Sequence, residues 1–251
     1  MLLINNLSKS FGGITALKNL DLKVNTGEVV GLIGPNGSGK TTTINLVTGI
    51  YASDSGSVIL DGRHITNQAA NKISRAGMAR TFQNLRIFER LTVKENIMVA
   101  QNIFCSSLLE SLNVLQKKKE RERLTEIDEL LKKFNLILVK DNKASSLSYG
   151  EKKRLEMARA LAMRPKILLL DEPAAGMSPP ELDWLKDTIN NLRSSGLAIL
   201  LIEHHMRLVM GVCDRISVLN FGNKIAEGTP LSISKDPEVI TAYLGRENSS
   251  A

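Results

Sequence analysis

At 251 residues and 43% hydrophobic content, the chain can hold one large domain, or a domain with a subdomain, around an ample core. No uninterrupted apolar stretch reaches the ~18 residues that span a bilayer, and no leader-like segment precedes the polar pair Asn5-Asn6, so a soluble, cytosolic protein is expected. The net charge of +7 gathers largely in Lys117-Lys118-Lys119, Arg121, Arg123 and Lys152-Lys153-Arg154, and 4% aromatic content leaves few platforms for stacking single-stranded nucleic acid.

Residues 2–8 and 17–24 read as short strands, with Leu20, Leu22 and Val24 alternating with polar neighbours, separated by a turn at Phe11-Gly12-Gly13. The apolar run Val29-Val30-Gly31-Leu32-Ile33 reads as a buried strand, and residues 42–48 as a helix. Residues 57–60 form a strand entering the turn Asp61-Gly62, which completes a small antiparallel sheet. The pattern over 71–164 is helical. Within it, 116–134 is an amphipathic helix with Leu124, Ile127, Leu130, Leu131 and Phe134 on one side. Parallel-sheet character returns at 166–171, after Pro165, and again at 197–202 and 215–219. Phe221-Gly222-Asn223 then turns the chain into a hairpin at 224–226, and the tail 246–251 should fray. Cys105 and Cys213 lie far apart outside any metal spacing and are expected to be free thiols.

Three stretches carry chemistry. Gly34-Pro35-Asn36-Gly37-Ser38-Gly39-Lys40-Thr41-Thr42 fits the phosphate-loop pattern, between a buried strand and a helix N-terminus. Glycines let backbone N–H groups curl around an anion, Lys40 supplies a charge for the β- and γ-phosphates, and Thr41 offers a hydroxyl to Mg²⁺. The apolar run Ile167-Leu168-Leu169-Leu170 ends in Asp171-Glu172, at the strand end where ligands of α/β sheets collect. Asp171 can hold Mg²⁺ through water opposite Thr41, and Glu172 can orient or deprotonate the water that attacks the γ-phosphate. In Leu147-Ser148-Tyr149-Gly150-Glu151, Ser148 and Glu151 have capping-box spacing at the head of a helix, and Gly150 leaves bare backbone as an anion-docking surface.

Phosphate loop, Ser-x-Gly-Glu signature and apolar strand with Asp-Glu, in that order and spacing, resemble the ATPase subunit of an ATP-binding cassette (ABC) transporter over essentially the whole chain. The resemblance implies an α/β fold of the P-loop NTPase, ABC ATPase type: a mainly parallel core sheet, an N-terminal antiparallel β subdomain and an inserted α-helical subdomain. It places one ATPase domain at 1–245, with 1–83 and 165–228 as core and β subdomain, 84–164 as helical subdomain, and a C-terminal helix and tail at 229–251. It further implies that Phe11 stacks on adenine, that Gln83 senses Mg²⁺ and the attacking water, and that His204 contacts the γ-phosphate as a switch.

In that family two cassettes pack head to tail, so that Ser148, Tyr149, Gly150 and Glu151 of one subunit close on the ATP of the other. The implied partners are a second ATPase subunit, identical or related, membrane permease subunits reached through 84–95, and indirectly a substrate-binding protein; no nucleic acid is expected. The implied location is the cytoplasmic side of the inner membrane. Glu151 and Ser178 depart from the common Gln and Asp; the first adds negative charge near the partner's nucleotide, and the second bears on the detail of cross-dimer communication and not on the chemistry.

Thr81-Phe82-Gln83-Asn84-Leu85-Arg86-Ile87-Phe88, Ile202-Glu203-His204 and the run Asp236-Pro237-Glu238-Val239-Ile240-Thr241-Ala242-Tyr243-Leu244-Gly245 are similar to the branched-chain (hydrophobic) amino-acid uptake ATPases, as is the charged insert around 101–140. Lipid or lipopolysaccharide export is the alternative, and a soluble cassette ATPase acting on DNA or ribosomes a more distant one.

Overall fold

The computed structural model describes residues 1–101 and 114–244. In chain order these form β1 (Leu2–Phe11), β2 (Ile14–Val24), β3 (Val29–Ile33), α1 (Lys40–Val47), β4 (Ser55–Leu60), β5 (Arg63–His64), α2 (Ala70–Arg75), β6 (Met78–Arg80), α3 (Val93–Gln101), α4 (Val114–Lys133) and α5 (Tyr149–Ala162). There follow β7 (Ile167–Asp171), α6 (Pro179–Ser194), β8 (Ala198–Ile202), α7 (Met206–Val212), β9 (Arg215–Asn220), β10 (Asn223–Gly228), α8 (Pro230–Ile233) and α9 (Pro237–Leu244). The chain divides into two compact units, Met1–Arg80 with Lys166–Ala251, and Thr81–Pro165.

The first unit holds both sheets seen among the described residues. An antiparallel sheet runs β2-β1-β4-β5, and a six-stranded sheet runs β10-β9-β3-β8-β7-β6. In the second sheet β9, β3, β8, β7 and β6 are parallel, and β10 pairs antiparallel with β9. β3, β7 and β8 are buried at every residue, as expected of apolar strands covered on both faces. β2 shows the other pattern: Leu20, Leu22 and Val24 are buried and the residues between them exposed. β1 and β2 run on past the expected 2–8 and 17–24 and meet at Gly12-Gly13. Positive φ at both glycines (+51°, +84°) suits the two-residue hairpin turn that matches strand twist.

One expectation is corrected. Residues 71–164 are not continuously helical, because β6 interrupts them and joins the parallel sheet beside β7. Gly77 ends α2 with a φ of +112°, a backbone turn that no helix continues through, and its carbonyl accepts the N–H of Lys166 at 2.7 Å. A strand of only three residues carries too few positions to show a period.

In the second unit, Ile127 and Leu131 on α4 and Phe134 just beyond it are buried while Leu124 and Leu130 are half-buried, the expected apolar stripe. The expectations for Cys105 and for the tail 246–251 fall outside the described residues. No described helix is long and apolar enough to cross a membrane.

Candidate active site

The phosphate loop leaves the buried end of β3 and enters α1 directly at Lys40. Two of its glycines are sterically required. A Cβ on Gly34 would lie 2.1 Å from the Leu219 carbonyl oxygen, and one on Gly39, at a φ of +109°, 2.7 Å from that of Ala16. The turn after β9 buttresses the loop: Gly222 N–H donates to Ser38 O at 2.9 Å, and Gly222 O accepts from Lys18 N at 2.8 Å. Near the C-terminal end of the described chain, burial pushes the Tyr243 phenol up.

Lys40 is almost fully buried, and its Nζ donates to Gly34 O at 2.6 Å and Pro35 O at 3.0 Å, which holds the ammonium inside the loop. Ser38 Oγ is buried with no hydrogen-bond partner, an orphan polar atom in a loop built for an anion. Asn36, Gly37 and Thr41 are exposed and Thr42 half-buried. No side chain caps α1 and no acid lies in its first turn, so its N-terminal N–H groups and dipole favour a phosphate.

The acids lie where β7 ends. Asp171 is 6% exposed, and its Oδ2 accepts from Arg80 Nη2 at 2.8 Å. Glu172 sits in the left-handed region at φ +48°, with its N–H on Ile202 O at 2.9 Å. For a non-glycine residue that conformation costs about 1–3 kcal/mol, and such outliers cluster at active sites. His204 Nδ1 lies 3.7 Å from Glu172 Oε1, so β7 and β8 bring the expected base and the expected switch together.

Behind them Glu203 is fully buried. Its Oε1 accepts from Ala174 N at 2.8 Å and its Oε2 from the N–H groups of His204 and His205, both at 3.0 Å. Burial, then the charges of Asp214 and Glu203, push the Cys213 thiol up to about 12. Phe11 is 42% exposed at the end of β1, packs edge-on against Tyr51 with ring centroids 5.3 Å apart, and has Lys9 Nζ over its face.

Thr41 and Asp171 offer hard oxygen donors of the kind Mg²⁺ prefers, a metal that takes one or two protein ligands and fills its shell with water and substrate phosphate. The donor set therefore fits that ion.

Gln83 and the signature belong to the second unit. Gln83 lies exposed in an irregular segment, and its carbonyl is 3.5 Å from Lys153 Nζ. Just before it, Phe82 N donates to Glu156 at 3.1 Å; burial pushes the Glu156 carboxyl up, and burial lowers Arg159 beside it. The capping box forms. Ser148 N–H donates to Glu151 Oε2 at 2.8 Å, Glu151 N–H to Ser148 Oγ at 3.3 Å, and the Ser148 hydroxyl itself donates to Glu151 Oε2 at 2.8 Å. Tyr149 is half exposed with Lys153 Nζ over its ring, and Gly150 is buried in the first turn.

Sequence reading missed Arg80, Tyr51 and the anchoring role of Glu203. The available signals were an acid closing an apolar strand ahead of two histidines, and an arginine ending a strand that was itself missed.

Phosphate loop, paired acids at a parallel strand end, and a capped glycine-bearing helix on a separate helical unit together define a nucleotide-hydrolysing cassette. The family model described as "ABC transporter" matches residues 17–175, and the chain belongs to that family, as an ATP-hydrolysing transporter subunit. A second family model, "Branched-chain amino acid ATP-binding cassette transporter", matches residues 223–248. The chain is 43% identical to the high-affinity branched-chain amino acid transport ATP-binding protein BraF of Pseudomonas aeruginosa, over 96% of each chain. It is 38% identical to the lipopolysaccharide export system ATP-binding protein LptB of Haemophilus influenzae, over 98% of each. Among solved structures, the ADP conformation of the ATP-binding cassette MJ1267 superposes with a TM-score of 0.85 at 35% identity, covering 98% of both chains.

Proposed function

We propose that this subunit powers uptake of branched-chain or other hydrophobic amino acids, through ATP-driven dimerisation coupled to membrane permease subunits. The observation that carries the substrate class is the match at 223–248, the region of β10, α8 and α9, to a family named for branched-chain amino acids. The higher identity to BraF than to LptB agrees with it.

In this reading the loop amides at residues 34–42 and the Lys40 ammonium grip the β- and γ-phosphates, while Phe11 stacks on adenine with Tyr51 at its edge. Thr41, and Asp171 through water, would hold Mg²⁺, which would supply charge neutralisation at the phosphates, and Gln83 is the residue assigned to sense it. Glu172 takes the proton of the attacking water, and its left-handed backbone fixes the carboxylate before the nucleotide arrives. His204, within ion-pair reach of Glu172, turns its ring to the γ-phosphate. Ser148, Tyr149, Gly150 and Glu151 of a second cassette, identical or related, close over that phosphate and exclude water.

Residues 84–95, where exposed Phe88 carries the Arg159 guanidinium 4.8 Å from its ring centre, meet the permease subunits. The protein is then held peripherally on the cytoplasmic face of the membrane and served indirectly by a substrate-binding protein. Uptake of labelled leucine in cells with and without the gene tests the substrate class. Unchanged leucine uptake together with a loss of lipopolysaccharide export would move the assignment to the alternative. Glu172→Gln tests the chemistry: turnover should fall by about 10²–10⁴ with nucleotide binding intact.

A further inference from the structure

Arg80 ends β6, the edge strand of the parallel sheet, with its side chain 9% exposed. Its guanidinium reaches in two directions. Nη2 donates to Asp171 Oδ2 at 2.8 Å, while Nη1 donates to Asn45 Oδ1 at 2.8 Å and Thr48 Oγ1 at 3.3 Å. Asn45 lies on α1 and Thr48 caps it, and this is the helix whose first turn carries Thr41. One planar cation therefore ties the acid strand to the phosphate-loop helix.

We propose that Arg80 is a positioning residue for the metal half of the nucleotide site: by bridging Asp171 to α1 it fixes the carboxylate relative to Thr41, the spacing Mg²⁺ must find. The proposal rests on the nucleotide-and-metal reading above.

The residue type fits the task. Mg²⁺ demands near-ideal octahedral geometry and tolerates little scatter in its few protein-linked positions. A guanidinium holds two partners in a rigid fork, whereas an ammonium on a flexible stem holds neither at a set angle. A nearly buried arginine opposite a nearly buried carboxylate is also a pair that cannot lose one member cheaply. The bonds to Asn45 and Thr48 add what charge balance alone would not require.

The test is equilibrium binding of a fluorescent, non-hydrolysable ATP analogue (mant-AMPPNP) to the full-length chain, in EDTA and across a MgCl₂ titration, for wild type, Arg80→Gln and Arg80→Lys. Arg80→Gln should bind within about twofold of wild type in EDTA. The MgCl₂ concentration giving half of the metal-dependent gain should rise about tenfold or more, with Arg80→Lys in between. An unchanged MgCl₂ midpoint overturns the role of Arg80, and so does an equal loss of affinity in EDTA, which marks a general lesion of the site.

A wild-type protein that gains no affinity from MgCl₂ overturns the metal site itself and Arg80's role with it. That result is distinct from a wild-type gain that Arg80→Gln leaves unmoved. If Arg80→Gln is insoluble, Arg80→Lys and Asn45→Ala carry the same comparison, and an unmoved midpoint in both refutes the proposal.

Discussion

Two helices of this chain begin with a glycine-bearing turn, and they treat their N-termini in opposite ways. α1 starts after Gly39 in the left-handed region, with no side-chain cap and no acid in its first turn. α5 starts after Ser148 with a complete capping box, and the carboxylate of Glu151 takes both the Ser148 N–H and the Ser148 hydroxyl. A helix N-terminus draws an anion through its unpaired N–H groups and dipole. α1 leaves that demand to a phosphate, whereas α5 answers part of it from its own sequence. In the proposed reading the same backbone feature is a primary binding site in one unit and a self-satisfied, weaker one in the other. The second is suited to engaging a nucleotide already held elsewhere.

The contrast can be broken most severely at the open end. Lys40→Ala removes the charge inside the loop and should weaken nucleotide binding by about 10–10² in an equilibrium titration, the worth of a hydrogen bond to a charged group. Undiminished affinity would mean that α1 alone holds the phosphates.

Ser148→Arg attacks the capped end. It should cut ATP-driven dimer turnover by about tenfold or more, the effect of a hot-spot-sized disruption, while nucleotide binding to the monomer stays as it was. Equal loss in both assays would remove the division of labour between the two helices.

Glu151→Gln sharpens the comparison, since the amide keeps the capping geometry and discards the charge. ATP-driven dimerisation, followed by light scattering or size exclusion, should strengthen by about two- to fivefold, the worth of one unit charge near a helix end. Weaker dimerisation would show that Glu151 aids closure. Smallest of all, Ser148→Ala should cost about 1 kcal/mol of stability. In a chain of this size that is a fall of roughly 2–4 °C in the thermal midpoint. An unchanged midpoint would mean that the cap matters only for binding.

How far each feature is legible in the sequence depends on how it is encoded. The phosphate loop, the Asp171-Glu172 pair and the Ser148/Glu151 box are contiguous, so their chemistry is written in spacing. β3, β7 and β8 were equally plain because burial on both faces demands an unbroken apolar run. β6 was hidden by its brevity, and Arg80 with it, because nothing in the linear order sets residue 80 beside residues 45, 48 and 171. Tyr51 is a similar case, joined to Phe11 only once the strand before it and the helix before Tyr51 have folded. The positive φ of Glu172 has no compositional trace, and the burial of Glu203 has only that of an acid closing an apolar strand. Both follow from how two neighbouring strands end.

That last carboxylate has a mechanical consequence. The amides of Ala174, two residues after Glu172, and of His204 and His205 are held by the two oxygens of one fully buried side chain. If His204 follows a leaving phosphate, as proposed, the 174–178 segment is coupled to it through these charge-assisted hydrogen bonds. In that reading, release of the product at one strand end would be felt at the next.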